Sequence, residues 1–338
     1  MSLTYRDMRH RRMGRSGLSV SRLALGTMGW GTRTSIEDAR DHLKTYLAAG
    51  GDFVDTAHEY ADGVSEEALG TLLGDLVPRD QLVICTKAGI SRRMGTRVVD
   101  TSRRALMHQL DTSLQRLGTP YVDLWLVHTW SEDTPVDETL SALEWAVASG
   151  RARYVGVSNY SGWQAAHAAT LMSGSRVPLV ADEIEYSLLN WIPEDELVRA
   201  GQALGFGLLP WSPLGGGILT GKFRHGIPNE SHAASGELTG ASDLHLSAES
   251  GQIVDAVAIA ARGLNVSPAE IALAWVRDRP GVVAPIVGVR TTAQLRAALA
   301  NEDLELPTGL TQALNDVSDR RSGQQHPGRQ YLSTSTPG

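Results

Sequence analysis

Four polar residues stand at or just after the ends of apolar runs: Asp55, Tyr60, Lys87 and His128. A carbonyl group that accepts a hydride needs a proton for its developing alkoxide, and the phenol of Tyr60, with an ordinary pKa of about 10, could supply it. Lys87 beside Tyr60 would stabilise the phenolate and lower that pKa, and Asp55 would pair with the Lys87 ammonium. His128 would donate a hydrogen bond that orients the substrate oxygen. These residue types predict acid–base chemistry at a carbonyl.

A repeated unit has to position these four residues. It consists of a short apolar run, a polar or Gly-rich loop and a longer helical pattern. The eight apolar runs begin at Arg22, Phe53, Leu82, Val122, Tyr154, Val180, Gly207 and Val282. Near-continuous apolar strands that alternate with helices predict a parallel sheet covered by helices, and eight repeats favour a (β/α)8 TIM barrel. Because the carboxyl ends of barrel strands meet at one rim, the four residues are expected to converge there.

Other segments lie outside the repeat. Residues 9–20 predict an N-terminal β-hairpin around Gly14 and Gly17, and extra C-terminal helices are expected after the barrel. The long polar stretch 223–246 is interpreted as a loop that could clamp a ligand. Residues 319–338, rich in Gly, Ser, Gln, Thr and Pro, are interpreted as a tail that is either disordered or a lid. We expect one barrel domain over residues 1–318, followed by this tail.

The composition argues against several classes of partner. The 338-residue chain carries a net charge of −7 without a basic block, so neither nucleic acid nor an anionic membrane is an expected partner. The one cysteine, Cys85, cannot form an intrachain disulfide, and a zinc site would lack its usual thiolates. No metal and a reducing, cytoplasmic location are therefore expected. No run reaches about 18 apolar residues, and the first residues lack an apolar signal core. The sequence leaves the oligomeric state open.

The four residues and their flanking motifs resemble the aldo-keto reductase family. The matching segments are residues 50–60, 86–89, 121–128, 155–160, 185–190, 211–217 and 287–290, within a resemblance that extends over roughly residues 9–305. It implies a reductase of aldehydes or ketones that uses NADPH (NADP+), with Asp55, Tyr60, Lys87 and His128 as its catalytic tetrad.

The resemblance also implies which residues hold the cofactor. Ser158 and Asn159 would bind the nicotinamide carboxamide, Trp211 would stack on the ring, and Arg290 would favour NADPH through its additional phosphate. The expected cofactor residues are Gly26, Thr27, Met28, Asp55, Ser158, Asn159, Glu183, Trp211, Ser212, Pro213, Leu214, Gly215, Lys222, Gly288, Arg290 and Gln294. Two departures from the family stand out: Glu183 replaces a common Gln, and Ala297 and Ala298 replace polar residues that would contact adenine.

The substrate pocket and two alternative functions remain to be considered. Loop positions suggest that Trp30, His58 and Trp130 line the pocket of a small aldehyde or ketone whose identity stays open. A Schiff-base aldolase could use Lys87 as its nucleophile. The chain also resembles potassium-channel beta subunits that keep the cofactor for regulation, so a sensor subunit with slow turnover is the other alternative.

Overall fold

The computed structural model describes residues 8–93, 95–222 and 248–319. The clamp predicted at residues 223–246 lies outside the described residues, and so does the predicted tail apart from Asp319.

Eight parallel strands form the central sheet. They are Ala24–Gly26, Phe53–Asp55, Val83–Ala88, Val122–Val127, Ala152–Ser158, Leu179–Glu185, Gly207–Trp211 and Ile286–Gly288. The first seven strands pair one with the next along this series. Strand Ile286–Gly288 pairs with Ala24–Gly26, and Val282 bridges to Leu208, so the sheet closes on itself. The predicted (β/α)8 barrel is confirmed.

The last strand begins later than predicted. The apolar run that starts at Val282 contacts its two neighbours in turn: the Val283 amide donates to Leu208 O at 2.9 Å, whereas the Pro285 carbonyl accepts from the Ala24 amide at 2.9 Å. Pro285 has no N–H to give to a ladder, so it interrupts the run between these contacts. The regular strand is therefore Ile286–Gly288.

Helices surround the sheet. They are Ile36–Ala48, Val64–Leu72, Arg103–Leu117, Val136–Ala148, Gly162–Ser173, Leu197–Leu204, Ala248–Leu264, Pro268–Arg277, Thr292–Ala300 and Thr308–Ser318. Ser35 caps the first by accepting from the Asp38 amide at 3.1 Å, and Gly118 ends the third with a φ of 62°. The last helix is an extra one that packs on Ala248–Leu264. None of the helices in the described ranges is long and apolar enough to cross a membrane.

The predicted N-terminal hairpin closes one end of the barrel. Strands His10–Arg12 and Ser19–Ser21 pair antiparallel, and Met13 between them is fully buried in the barrel's inner core. Gly14, with a φ of 54°, packs so closely that a Cβ atom there would lie 2.2 Å from Gly205 O. Because Gly205 precedes strand Gly207–Trp211, the hairpin sits at the amino ends of the strands and leaves their carboxyl ends open.

Candidate active site

The carboxyl ends of the strands surround a cavity of about 470 Å³. This volume falls within the range of small-molecule sites. Residues from the strand ends line it together with the loop after Ala24–Gly26, the loop after Gly207–Trp211 and the first turns of Thr292–Ala300. This is the rim at which the sequence predicted the chemistry.

The four predicted catalytic residues come together at this rim. Asp55, Tyr60 and His128 line the cavity, and the fully buried Lys87 lies behind them. The Lys87 ammonium donates to Asp55 Oδ1 at 2.5 Å and to Thr56 O at 3.0 Å. It lies 5.2 Å from the centre of the Tyr60 ring, whose centroid is 6.0 Å from that of His128 in an edge-to-face arrangement. A phenol, an imidazole and a buried ion pair thus converge on one wall.

Glu183 adds a second carboxylate to this group. Its Oε2 lies 2.9 Å from Lys87 Nζ, and only 2% of the residue is exposed. Asp55, Cys85 and Glu183 place ligand-type atoms within 4.8 Å of one another, but the ammonium of Lys87 already pairs with both carboxylates. Burial and then the charge of Asp55 raise the pKa of Glu183 to about 8, against the opposing effect of Lys87.

The protonation states follow from burial and charge. Burial alone would lower the pKa of Lys87, but Asp55 and Glu183 outweigh it and hold that pKa well above its usual value. Burial raises the pKa of Tyr60 well above 10, and the two carboxylates add to the shift that Lys87 opposes. Burial and then Lys87 hold the pKa of His128 well below its usual range. At neutral pH the site therefore presents an ammonium, a neutral phenol and a neutral imidazole.

The sign of the Tyr60 shift corrects the expectation from sequence. Lys87 was expected to lower the Tyr60 pKa, and it does act in that direction. The net shift is upward because desolvation of the phenol outweighs the effect of Lys87 and because Glu183, which the sequence analysis did not place beside Lys87, adds a further negative charge. Tyr60 is therefore suited to give up its proton only to a strong base such as an alkoxide.

A buried ion pair holds the segment that carries Tyr60. Arg116 donates to the carbonyl oxygens of His58 at 2.9 Å and Asp62 at 3.3 Å, on either side of Tyr60. Its guanidinium pairs with the fully buried Glu66 at 3.1 Å. The backbone between them is strained, since Asp62 has a φ of 54°. Arg116 thus fixes a segment that would not hold this shape alone.

Trp211 forms another wall of the cavity. Its Nε1 donates to Asn159 Oδ1 at 3.0 Å, and Asn159 Nδ2 donates to His128 O at 3.0 Å. Asn159 holds this position with a φ of 58°, in the left-handed region. The amide therefore ties the Trp211 ring to the His128 backbone, and the ring presents a fixed flat surface.

Three cationic side chains also line the cavity: Arg33, Lys222 and Arg290. Burial and then the charge of Arg290 lower the pKa of both Arg33 and Lys222, so Arg290 lies close enough to each of the other two cations to repel it. Such a cluster suits a ligand with several phosphate charges. The sequence analysis missed Arg33; its place in the loop after the first barrel strand, shortly after the predicted residues 26–28, was the available signal.

Two predicted cofactor residues do not line the cavity. The Ser158 hydroxyl donates to Glu183 O at 3.0 Å and is fully buried between strands. Gly215, with a φ of 55°, lies against Leu189. The other predicted cofactor residues all line the cavity, as do Ala297 and Ala298, whose methyl groups offer no hydrogen bond to adenine.

Of the three predicted substrate residues, only Trp30 lines the cavity. The His58 ring faces the helix behind the barrel, with Nδ1 3.3 Å from Arg116 Nη1. The Trp130 ring packs edge-to-face on Trp163, at a centroid distance of 5.3 Å. The structure therefore does not bring His58 and Trp130 to the cavity. The expectation that these two side chains line it is corrected.

Comparison with known proteins agrees with this geometry. The model of the aldo/keto reductase family matches residues 22–319, so the chain belongs to that family. It is 34% identical over 299 residues to L-glyceraldehyde 3-phosphate reductase of Escherichia coli (strain K12), covering 86% of each chain. It is 32% identical to the uncharacterized oxidoreductase YrpG of Bacillus subtilis, covering 94% of this chain and 98% of the relative. A probable voltage-gated potassium channel subunit beta of Oryza sativa is also 32% identical, with coverage of 85% and 89%. Membership of this family makes the chain an oxidoreductase of the carbonyl-reducing class.

Proposed function

We propose that this protein reduces an aldehyde or ketone with NADPH, and that Tyr60 donates the proton. The observation that carries the proposal is the Lys87 ammonium, buried behind Tyr60 and paired with Asp55 at 2.5 Å, at a cavity wall shared with His128. This arrangement supplies a proton donor, a charge that stabilises its conjugate base, and a hydrogen-bond donor for the substrate oxygen.

The cavity fits a nicotinamide dinucleotide. Gly216 and Gly217 line the cavity with φ values of 63° and 93°, and the absence of side chains there lets phosphate oxygens approach the backbone closely. A Cβ atom at Gly217 would lie 2.7 Å from Lys222 Nζ, so glycine lets the ammonium fold over this loop. The three cations would hold the phosphates, and Trp211 would face the nicotinamide ring. When bound there, NADPH supplies the hydride.

The residues of the chain supply the proton and the orientation. His128, neutral because its pKa is held low, donates a hydrogen bond to the substrate oxygen. Tyr60 gives its proton to the same oxygen as negative charge develops there. Lys87 then stabilises the phenolate, and Asp55 keeps the ammonium in place. Arg116 holds the Tyr60 segment so that the phenol stays at the cavity wall.

The alternatives differ in support. A Schiff-base lysine must be neutral to attack a carbonyl, yet the raised pKa keeps Lys87 protonated, and the residue does not line the cavity. The geometry therefore opposes the aldolase. The sensor hypothesis is supported by one observation, the similarity to a relative named as a probable voltage-gated potassium channel subunit beta. A complete tetrad favours turnover over a purely regulatory role.

One domain over residues 1–318 and a reducing, cytoplasmic location remain part of this proposal. The beginning and the end of the barrel sequence are in contact, since Arg22 Nε donates to Glu302 Oε2 at 2.8 Å. The buried Cys85, the one cysteine of the chain, suits a compartment in which thiols stay reduced.

Arg290→Ala tests the choice of cofactor. A charge-assisted hydrogen bond contributes about 1.5–3 kcal/mol, so we expect a loss of roughly 10- to 100-fold in NADPH affinity and little change for NADH. Nucleotide fluorescence titrations of both cofactors measure the difference. Arg296→Ala, on the helix that follows Arg290 but away from the cavity, is the matched control and should change neither affinity. An equal loss of affinity for NADPH and NADH would show that Arg290 does not bind the additional phosphate of NADPH.

A further inference from the structure

We propose that Glu183 stores the proton that restores Tyr60 after each reduction and passes it through Lys87. This assignment rests on the proposed reductase function and adds a second acid to its proton path. It goes beyond the cofactor-binding role that the resemblance implied for this position.

The geometry makes Lys87 the centre of a relay. Its Nζ lies 2.5 Å from Asp55 Oδ1, 2.9 Å from Glu183 Oε2 and 5.2 Å from the centre of the Tyr60 ring. The two carboxyl side chains are 2% and 3% exposed, and the lysine side chain is completely buried. One ammonium thus lies between two acids and the phenol.

Charge balance requires an additional proton in this group. Two carboxylates and one ammonium would leave an unpaired negative charge in the barrel interior, which is costly unless a proton neutralises it. Asp55 has the shorter contact with the ammonium, so it is the better paired of the two carboxyl groups. The proton is therefore held on Glu183, which also lines the cavity and can exchange with solvent when the cavity is open.

The other titratable groups that face Glu183 do not compete for this role. Burial raises the pKa of the Cys85 thiol, the Tyr60 phenol and the carboxyl group of Asp182, the preceding residue on the strand. The Cys85 thiol and the Tyr60 phenol therefore hold their protons at neutral pH, whereas Asp182, as the neighbouring residue on the strand, points to the opposite face of the sheet. Glu183 remains the acid in contact with Lys87 that can release a proton near neutrality.

The proton steps balance as follows for each carbonyl reduced. The Tyr60 O–H bond breaks and its proton goes to the substrate oxygen, while the hydride comes from the reduced cofactor. Lys87 Nζ gives a proton to the Tyr60 oxygen, and Glu183 gives its proton to Lys87. The protein is left with one carboxylate more, whose negative charge balances the positive charge that the cofactor gains on oxidation. Solvent returns the proton to Glu183 after the oxidised cofactor leaves.

Proton release on cofactor binding tests the assignment without turnover. Calorimetric titration at neutral pH, in buffers of different ionisation enthalpy, should show that the wild type releases a proton when NADP+ binds and none when NADPH binds. Glu183→Gln should bind both nucleotides without proton release. Glutamine is the residue that the family commonly carries at this position, so this variant is expected to fold. Glu144→Gln, an exposed helix position, is the matched control and should release the proton as the wild type does.

The outcomes separate this inference from the proposed function. Binding of NADP+ to the wild type without proton release, or an unchanged release in Glu183→Gln, would overturn the role of Glu183 and leave the reductase standing. Failure of both nucleotides to bind would overturn the reductase itself. The wild-type kcat should also fall as pH rises through the pKa of Glu183, about 8, because Glu183 is then ionised and has no proton to give to Lys87. Glu183→Gln should lack that decline.

Discussion

Tyr60→Phe is expected to bind NADPH as tightly as the wild type while losing carbonyl reduction by about 100-fold or more. The substitution removes the one phenol that lines the cavity of the described residues, and it leaves the ring that packs edge-to-face on His128. The proton donor is lost, but the cavity walls and the three cations remain. Absorbance of the reduced nicotinamide, followed with para-nitrobenzaldehyde as substrate, measures the rate, and nucleotide fluorescence measures the affinity.

Tyr154→Phe is the matched control for this substitution. Tyr154 lies on strand Ala152–Ser158, with its hydroxyl near Gly17 of the N-terminal hairpin and away from the cavity. Its variant should keep both activity and binding. Retention of most of the activity in Tyr60→Phe would contradict the assignment of Tyr60 as proton donor.

Lys87→Met is expected to lower both activity and the free energy of unfolding. The lysine pairs with Asp55 at 2.5 Å and Glu183 at 2.9 Å, and its removal leaves two buried carboxyl groups without their cation. Breaking a buried ion pair in this way costs about 3–5 kcal/mol. Urea unfolding measures the stability. Reduction should fall at least as far as in Tyr60→Phe, because the Tyr60 phenolate loses its stabilising charge.

The pH dependence of Lys87→Met has a defined sign. Without the ammonium, the buried carboxyl groups have folded-state pKa values above their unfolded ones, so the folded state holds protons that the unfolded state releases. The stability deficit should therefore be largest at neutral and alkaline pH and shrink as pH falls toward the unfolded-state pKa of about 4.

A triple variant separates the structural from the chemical role of Lys87. Adding Asp55→Asn and Glu183→Gln to Lys87→Met removes both stranded charges, so stability should largely return while activity stays low. A Lys87→Met protein as stable as the wild type would contradict the account of the ion pair. Recovery of activity in the triple variant would contradict the account of catalysis.

The barrel and the convergence of the four polar residues on one rim could be predicted because both follow from local rules. Apolar runs of strand length that alternate with helical patterns predict a closed parallel sheet, and strand ends in such a sheet share one rim. Asp55, Lys87 and His128 end or follow such runs, so their convergence required no knowledge of loop shape. The strand Ile286–Gly288 escaped this reasoning because Pro285 divides one apolar run between two neighbouring strands.

The remaining misses depend on tertiary contacts. His58 is turned toward Arg116, and Trp130 is drawn onto Trp163, and neither contact has a local pattern in the sequence. Arg33 is exposed on a loop, where only the folded chain shows that it shares a cavity with Arg290. The upward shift of the Tyr60 pKa depends on desolvation of the phenol and on the charge of Glu183, two properties that strand periodicity does not supply.

Transfer of label from the reduced cofactor tests the central claim most directly. Purified protein would be mixed with para-nitrobenzaldehyde and NADPH carrying deuterium at the transferable position of the nicotinamide, and the alcohol product would be analysed by mass spectrometry. The account predicts an alcohol with one deuterium on its carbinol carbon, formed at the rate at which NADPH disappears and lost in Tyr60→Phe. Tight NADPH binding with no labelled alcohol from any aldehyde or ketone offered would contradict it and favour a sensor subunit.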